Sequence, residues 1–171
     1  MPTSPKPFTL RKATAEDCCT LLELIKALAE YERMPEAVIA TEDTLKEAIF
    51  GRKRATVFLA EVGEAAVGFA LCFFSFSTFI GRETLYLEDL YVKPSHRGHG
   101  IGKALFMTVA KEAVDTGCAR LDWVCLDWNR SAIDFYTRLG ATNLKAWQLF
   151  RLDGLPLQAL AKGTSNQVPQ A

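Results

Sequence analysis

The sequence has no apolar run long enough to cross a membrane. Its longest apolar stretch, "AAVGFALCFF", is too short and is interrupted by Gly68. The opening "MPTSPKPFTL" holds no apolar core of signal-peptide length. Neither sign of charge dominates. Lys and Arg number 20 against 20 Asp and Glu, and bulk charge so balanced gives no nucleic-acid footprint. Five cysteines is an odd number, only Cys18 and Cys19 are close in sequence, and no C-x-x-C occurs. A disulfide framework and a zinc site are both disfavoured by that pattern. These absences fit a reduced, cytoplasmic setting with no membrane, nucleic-acid or metal partner.

What is present suits one domain. The 171 residues are 49% hydrophobic and 23% charged, ordinary values for a globular chain with a single core. No internal repeat occurs. The Pro/Ser/Gln-rich ends predict a flexible stretch at 1–7, a single folded domain at 8–155 and a tail at 156–171 with a disordered end.

The spacing predicts a short strand at "FTLR", then a helix opened by Thr14, with Asp17 three residues on as a capping-box relative. Leu21, Leu24, Ile25 and Leu28 give it an apolar face, and Met34-Pro35 ends it. A second helix starts at Thr41 and stops at Gly51. Strands "TVFLAEV" and "AVGFALCFFSF" follow, turned near Gly63-Glu64, and then "TLYLEDLYV", apolar on both faces as in mid-sheet. A helix from about Gly100 to Asp115 carries Ile101, Ala104, Leu105, Val109 and Ala113 on one stripe, with Gly117 beyond its end. "ARLDWVCL" reads as a strand, Asn129 as the cap of a helix ending at Gly140, and "WQLFRL" as a last strand. The fold class is mixed α/β.

The loop "KPSHRGHGIGKAL" invites two phosphate motifs, and register excludes both. A Walker A loop ending at Gly102-Lys103 would need glycine at Arg97 and a hydroxyl at Ala104. The dinucleotide pattern G-x-G-x-x-G puts Lys103 or Leu105 on its last glycine. Arg97-x-x-Gly100-x-Gly102 remains, between a buried strand and an amphipathic helix. Its physics is still anion capture: first-turn N–H groups point outward, and glycine lets a diphosphate approach the backbone.

With that loop, the sequence resembles the GNAT superfamily of acetyl-coenzyme A-dependent N-acetyltransferases, whose cofactor motif is Arg/Gln-x-x-Gly-x-Gly/Ala. "IKALAEYERMPEAVI", "VGFALCFF", "LYLEDLYV", "RGHGIG" and "LDWNRSAIDFYTRLGA" together resemble its spermidine/spermine and thialysine acetyltransferase branch, from about Arg11 to Leu152. The resemblance implies a mixed, mostly antiparallel sheet, splayed at the cofactor site and flanked by helices, and a homodimer. It implies that acetyl-coenzyme A lies along the backbone of Leu90, Tyr91 and Val92. The diphosphate would lie on the N–H groups from Arg97 through Gly98, His99, Gly100, Ile101 and Gly102 to Lys103. Asn129, Ser131 and Tyr136 would touch the cofactor as well.

Acetylating an amine requires a neutral nucleophile, and a lysine-type amine with a pKa of about 10.4 arrives protonated. Glu88, in mid-strand beside Asp89, is the candidate base. Alternation predicts opposite faces for the two carboxylates, which taken alone also suit arginine pairing or backbone capping. The resemblance assigns Glu88 the base role through a water and gives Asp89 charge balance or substrate contact. Tyr136, seven residues after Asn129 and so on the same helical face, reads alone as core packing. The match of "DFYTRLGA" to the family motif makes it the acid. Tyr31 and Glu32 match the branch's substrate-contacting pair, so a small cationic amine is the expected acceptor: a polyamine, diamine, thialysine or lysine-like compound. Ser77 and Phe79 depart from polyamine-specific members, which carry an acid and an indole there. Alternatives are protein lysines, N-termini or drug amines as acceptors, or a non-catalytic acetyl-coenzyme A-binding module. His96 and His99 read as solvated loop residues, Cys72 and Cys125 as small core residues, and the three tryptophans as core and rim packing.

Overall fold

The computed structural model describes residues 7–163, so 1–6 of the flexible stretch expected at 1–7, and 164–171 of the tail expected at 156–171, lie outside the described residues. The chain packs as two units, one running to Val124 and the other starting at Cys125.

In the first unit a five-stranded sheet runs in sequence order. Its strands are β1 (Thr9–Lys12), β2 (Thr56–Val62), β3 (Ala65–Ser77), β4 (Arg82–Val92) and β5 (Leu121–Asp122). β1 to β4 are antiparallel and β5 joins β4 in parallel. Helix α1 (Cys18–Tyr31) follows a single 3₁₀ turn at Ala15–Asp17. Its start is fixed as the sequence indicates: the Thr14 N–H donates to Asp17 Oδ2 at 2.7 Å. Arg11 then grips Asp17 with two bonds of 2.7 Å and reaches Glu61 at 2.7 Å, tying β1, β2 and the helix start together.

Strand period two sorts the sheet into two faces. Leu21, Leu24 and Leu28 of α1 pack on Val57, Leu59, Phe69 and Tyr91. The intervening residues Phe58, Ala60, Ala70 and Cys72 are buried too. Helix α3 (Ile101–Asp115) packs against β2, β3 and β4, burying Ile101, Leu105, Phe106, Val109 and Ala113. The helix capped by Thr41 begins as α2 (Glu42–Leu45) and widens into a π turn at Lys46–Gly51. β3 and β4 approach closely where Gly68 faces Val92. A Cβ on Gly68 would stand 2.6 Å from the Tyr91 carbonyl oxygen, so only glycine fits there.

Two strand expectations are corrected. "ARLDWVCL" is extended only at β5, paired Leu85↔Leu121 and Tyr86↔Asp122. β4 bulges directly afterwards, and a parallel neighbour cannot follow a strand whose pleat is interrupted. Cys125, expected in a buried strand, is accordingly exposed and outside the strand, whereas Cys72 is buried as read. "WQLFRL" forms no strand, and the described residues of the second unit hold none. Trp147, expected to pack, is 76% exposed. That unit holds α4 (Arg130–Arg138) and α5 (Gly154–Ala161), the latter occupying ground read as tail.

Candidate active site

The bulge lies at the two acids. Ala70 pairs with Leu90, Leu71 with Asp89 and Cys72 with Leu87, which leaves Glu88 as the extra residue. The expectation that Glu88 and Asp89 face opposite ways is therefore overturned. Asp89 takes the side of its partner Leu71, and Glu88 the side of Tyr86, whose partner Phe73 shares a face with Leu71. An extra residue resets the alternation, and both carboxylates come to the α1 side. Their electrostatics agree, since the charge of Glu88 raises the pKa of both Asp89 and Tyr86, behind burial in each case.

Asp89 reaches a cleft of about 290 Å³ at the C-terminal end of α1. Ile25, Leu28, Ala29 and Glu32 form one wall, and Met34 with the irregular stretch from Ala37 to Ala40 forms another. Burial, then the charges of Glu88 and Glu32, push the Asp89 carboxyl up to about 7. Burial also raises Glu32. Among the described residues no basic side chain lines the cleft, so it is a carboxyl-bearing hollow with apolar walls, suited to an ammonium on a short hydrocarbon chain. The Pro35 break shows in the sequence, but the cleft wall "AVIA" beyond it gives no local signal. Ser77 is buried in the β3–β4 hairpin, whereas Phe79 at its tip is 98% exposed.

β4 ends at Val92 and leads through a 3₁₀ turn at Pro94–His96 to the glycine loop. Gly98 and Gly100 have φ of 80° and 84°, the left-handed conformation that glycine adopts without strain. Gly100 caps α3, and the Ala104 N–H is the first to close a helical bond, to the Gly100 carbonyl at 2.9 Å. The N–H groups of Ile101, Gly102 and Lys103 therefore point out of the helix at the positive end of its dipole. Gly102 is informative because no neighbour among the described residues demands it. A Cβ there would meet only Val92 Cγ2, at 3.7 Å, which is ordinary contact. A glycine with room for a side chain fits a backbone that a ligand must approach. From Leu90 to Lys111 the chain has no acid and carries Lys93, Arg97, Lys103 and Lys111. Both features fit the diphosphate of coenzyme A.

Other expected loop contacts are occupied differently. The Arg97 N–H donates to the Pro94 carbonyl at 3.2 Å, and its Nε donates to the Val92 carbonyl at 2.8 Å. His96 Nδ1 lies 2.9 Å from Ser95 Oγ, and His99 is exposed. β5 pairs with β4 only at Leu85 and Tyr86, so among the described residues no strand continues alongside Leu90, Tyr91 and Val92 on that side.

In the second unit, Asn129 Oδ1 accepts from the Ala132 N–H at 3.2 Å and starts α4 as the sequence indicates. Ser131 is exposed in its first turn. Tyr136 is half-buried and packs edge-on to Phe135, ring centroids 5.1 Å apart. Gly140, at φ 89°, ends the helix.

Comparison with known proteins places this architecture. Residues 20–141 match the model of the acetyltransferase (GNAT) family. The chain is 41% identical over 167 residues to the thialysine N-epsilon-acetyltransferase of Bos taurus, covering 89% of this chain and 96% of that one. Its Caenorhabditis elegans counterpart is 35% identical over 159 residues, covering 91% and 98%. Among solved structures, an integron cassette protein from the mobile metagenome of V. cholerae superposes with a TM-score of 0.76. It is 28% identical, with 91% of this chain and 98% of that one covered. The chain thus belongs to the GNAT acetyltransferase family and is an enzyme that transfers an acetyl group to an amine.

Proposed function

We propose that this enzyme acetylates the primary amine of a small cationic acceptor, a polyamine, diamine, thialysine or lysine-like compound, by direct attack in a ternary complex. One observation carries the reading: Glu32 and Asp89 share an apolar-walled cleft that no basic side chain lines among the described residues. Two thialysine acetyltransferases among the relatives support it. Assembly as a homodimer rests on the family resemblance, and a cytoplasmic setting on the cysteine pattern of the sequence.

Acetyl-coenzyme A, when bound, supplies the activated acyl group. The loop amides from Gly98 to Lys103 would hold its diphosphate, the Arg97 N–H being taken by the Pro94 carbonyl, and the backbone of Leu90, Tyr91 and Val92 would take its extended arm as an added strand does. Asn129 and Ser131, at the start of α4, would contact it as well. Tyr31, Glu32 and Asp89 hold the acceptor. Glu88, displaced from the ladder by the bulge, takes the ammonium proton through a water, and Tyr136 Oη provides a proton on the leaving side.

The test is free-thiol release with acetyl-coenzyme A and spermidine, putrescine, thialysine, lysine or a lysine peptide. At least one small amine should exceed the peptide in kcat/KM by about tenfold, about 1.4 kcal/mol. Release with the peptide alone would overturn the small-acceptor reading. No release with any amine would favour a binding module.

Asp89 makes a second reading concrete, because a carboxyl held up to about 7 is itself poised as a base. Its pKa is raised, so it is neutral below about 7 and charged above. Either role makes kcat/KM for a cationic amine rise with pH through that value, and Asp89→Asn should flatten this limb. The split then decides. A KM increase with kcat within about threefold means that Asp89 holds the amine; a kcat loss of about 10²-fold or more makes Asp89 the base.

A further inference from the structure

Arg97 opens the glycine loop, where a guanidinium would first be read as a phosphate ligand. Its geometry gives it other partners. The Nε donates to the Val92 carbonyl at 2.8 Å. The guanidinium carbon sits 4.4 Å above the centroid of the Tyr31 ring and 5.6 Å from that of Tyr91. Tyr31 is the last residue of α1 and Glu32 follows it directly; Tyr91 is 5% exposed and two residues beyond Asp89. One planar cation thus touches the end of the helix that carries one cleft carboxylate and the end of the strand that carries the other.

We infer that Arg97 is a positioning residue that braces the acceptor cleft from behind the cofactor loop. It rests on the acceptor cleft proposed above. The stack holds the C-terminal turn of α1 against β4 and so fixes the separation of Glu32 from Asp89. The bond to Val92 fixes the point at which β4 turns into the loop. Loop and cleft are joined by this side chain, so whatever orders the loop also orders the acceptor wall. Lysine cannot substitute, because an ammonium has neither a flat face to lay on a ring nor a fixed second donor in the same plane.

The inference separates from phosphate binding by which substrate suffers. With an amine that the enzyme acetylates, Arg97→Gln should raise acceptor KM by about tenfold, the loss of about 1.4 kcal/mol from the stack and the bond. The KM for acetyl-coenzyme A should stay within about threefold, with unchanged salt dependence. Arg97→Lys should behave like Arg97→Gln, despite keeping the charge. Tyr31→Leu should raise acceptor KM similarly, and the Arg97→Gln/Tyr31→Leu double variant should add little to either single change. A rise in acetyl-coenzyme A KM that Arg97→Lys restores, with acceptor KM unmoved, would overturn the brace and make Arg97 a phosphate ligand. So would no change in either KM.

A readout independent of activity accompanies the kinetics. In NMR spectra of the wild type, the Arg97 Nε proton should be resolved, slow to exchange and shifted by the Tyr31 ring, and Tyr31→Leu should abolish that shift. This signal in a protein that acetylates no amine overturns the functional reading and leaves the brace standing. A rapidly exchanging, unshifted signal in an active enzyme overturns the brace alone.

Discussion

Tyr136→Phe is expected to lower kcat by about 10²- to 10⁴-fold, the range associated with a positioned acid, while the KM for the amine changes little. Position and chemistry can be separated at this residue. α4 is fixed by its Asn129 cap, and the Tyr136 ring packs edge-on to Phe135 at 5.1 Å. Phenylalanine preserves that ring contact and removes only the hydroxyl. Steady-state thiol release should therefore show the loss in kcat, and circular dichroism should show an unchanged fold. A Tyr136→Phe enzyme with wild-type turnover would remove Tyr136 from the mechanism.

Glu88→Gln is expected to lower kcat by a comparable factor, about 10²- to 10⁴-fold, because the amide is isosteric but accepts no proton. The bulge makes the substitution clean. Glu88 has no partner in β3 and is exposed, so neither the ladder with β3 nor the core depends on its charge. Asp89→Asn is the control in the same bulge, and comparison of the two pH profiles assigns the base. If Glu88→Gln leaves kcat intact while Asp89→Asn abolishes it, the proton is taken by Asp89.

Local signals were legible in the sequence. Thr14 with Asp17, Thr41, Asn129 and Gly140 bound helices where their side-chain chemistry or left-handed freedom indicates. The loop from Arg97 to Gly100 stands between strand and helix as its glycines require. Pairing was less legible, because register is decided by a distant segment. Nothing within "LYLEDLYV" states that Leu71 will oppose Asp89 and Cys72 will oppose Leu87, so the bulge and the shared side of the two carboxylates escape local reading. The shortness of β5 has the same origin, since its partners Leu85 and Tyr86 are more than thirty residues away along the chain. "WQLFRL" has strand-like composition, but composition supplies no neighbouring edge. The side chain of Arg97 escapes local reading for a related reason: the motif concerns its backbone N–H, whereas tertiary packing lays its guanidinium on Tyr31 and Tyr91.

The most direct test of the account is a titration of the isotope-labelled chain with coenzyme A, following its backbone amides by NMR. The amides of Ile101, Gly102 and Lys103 should move first and farthest, because they are the outward-facing donors at the start of α3. Saturable binding that leaves those three amides in place and perturbs a different surface would contradict it.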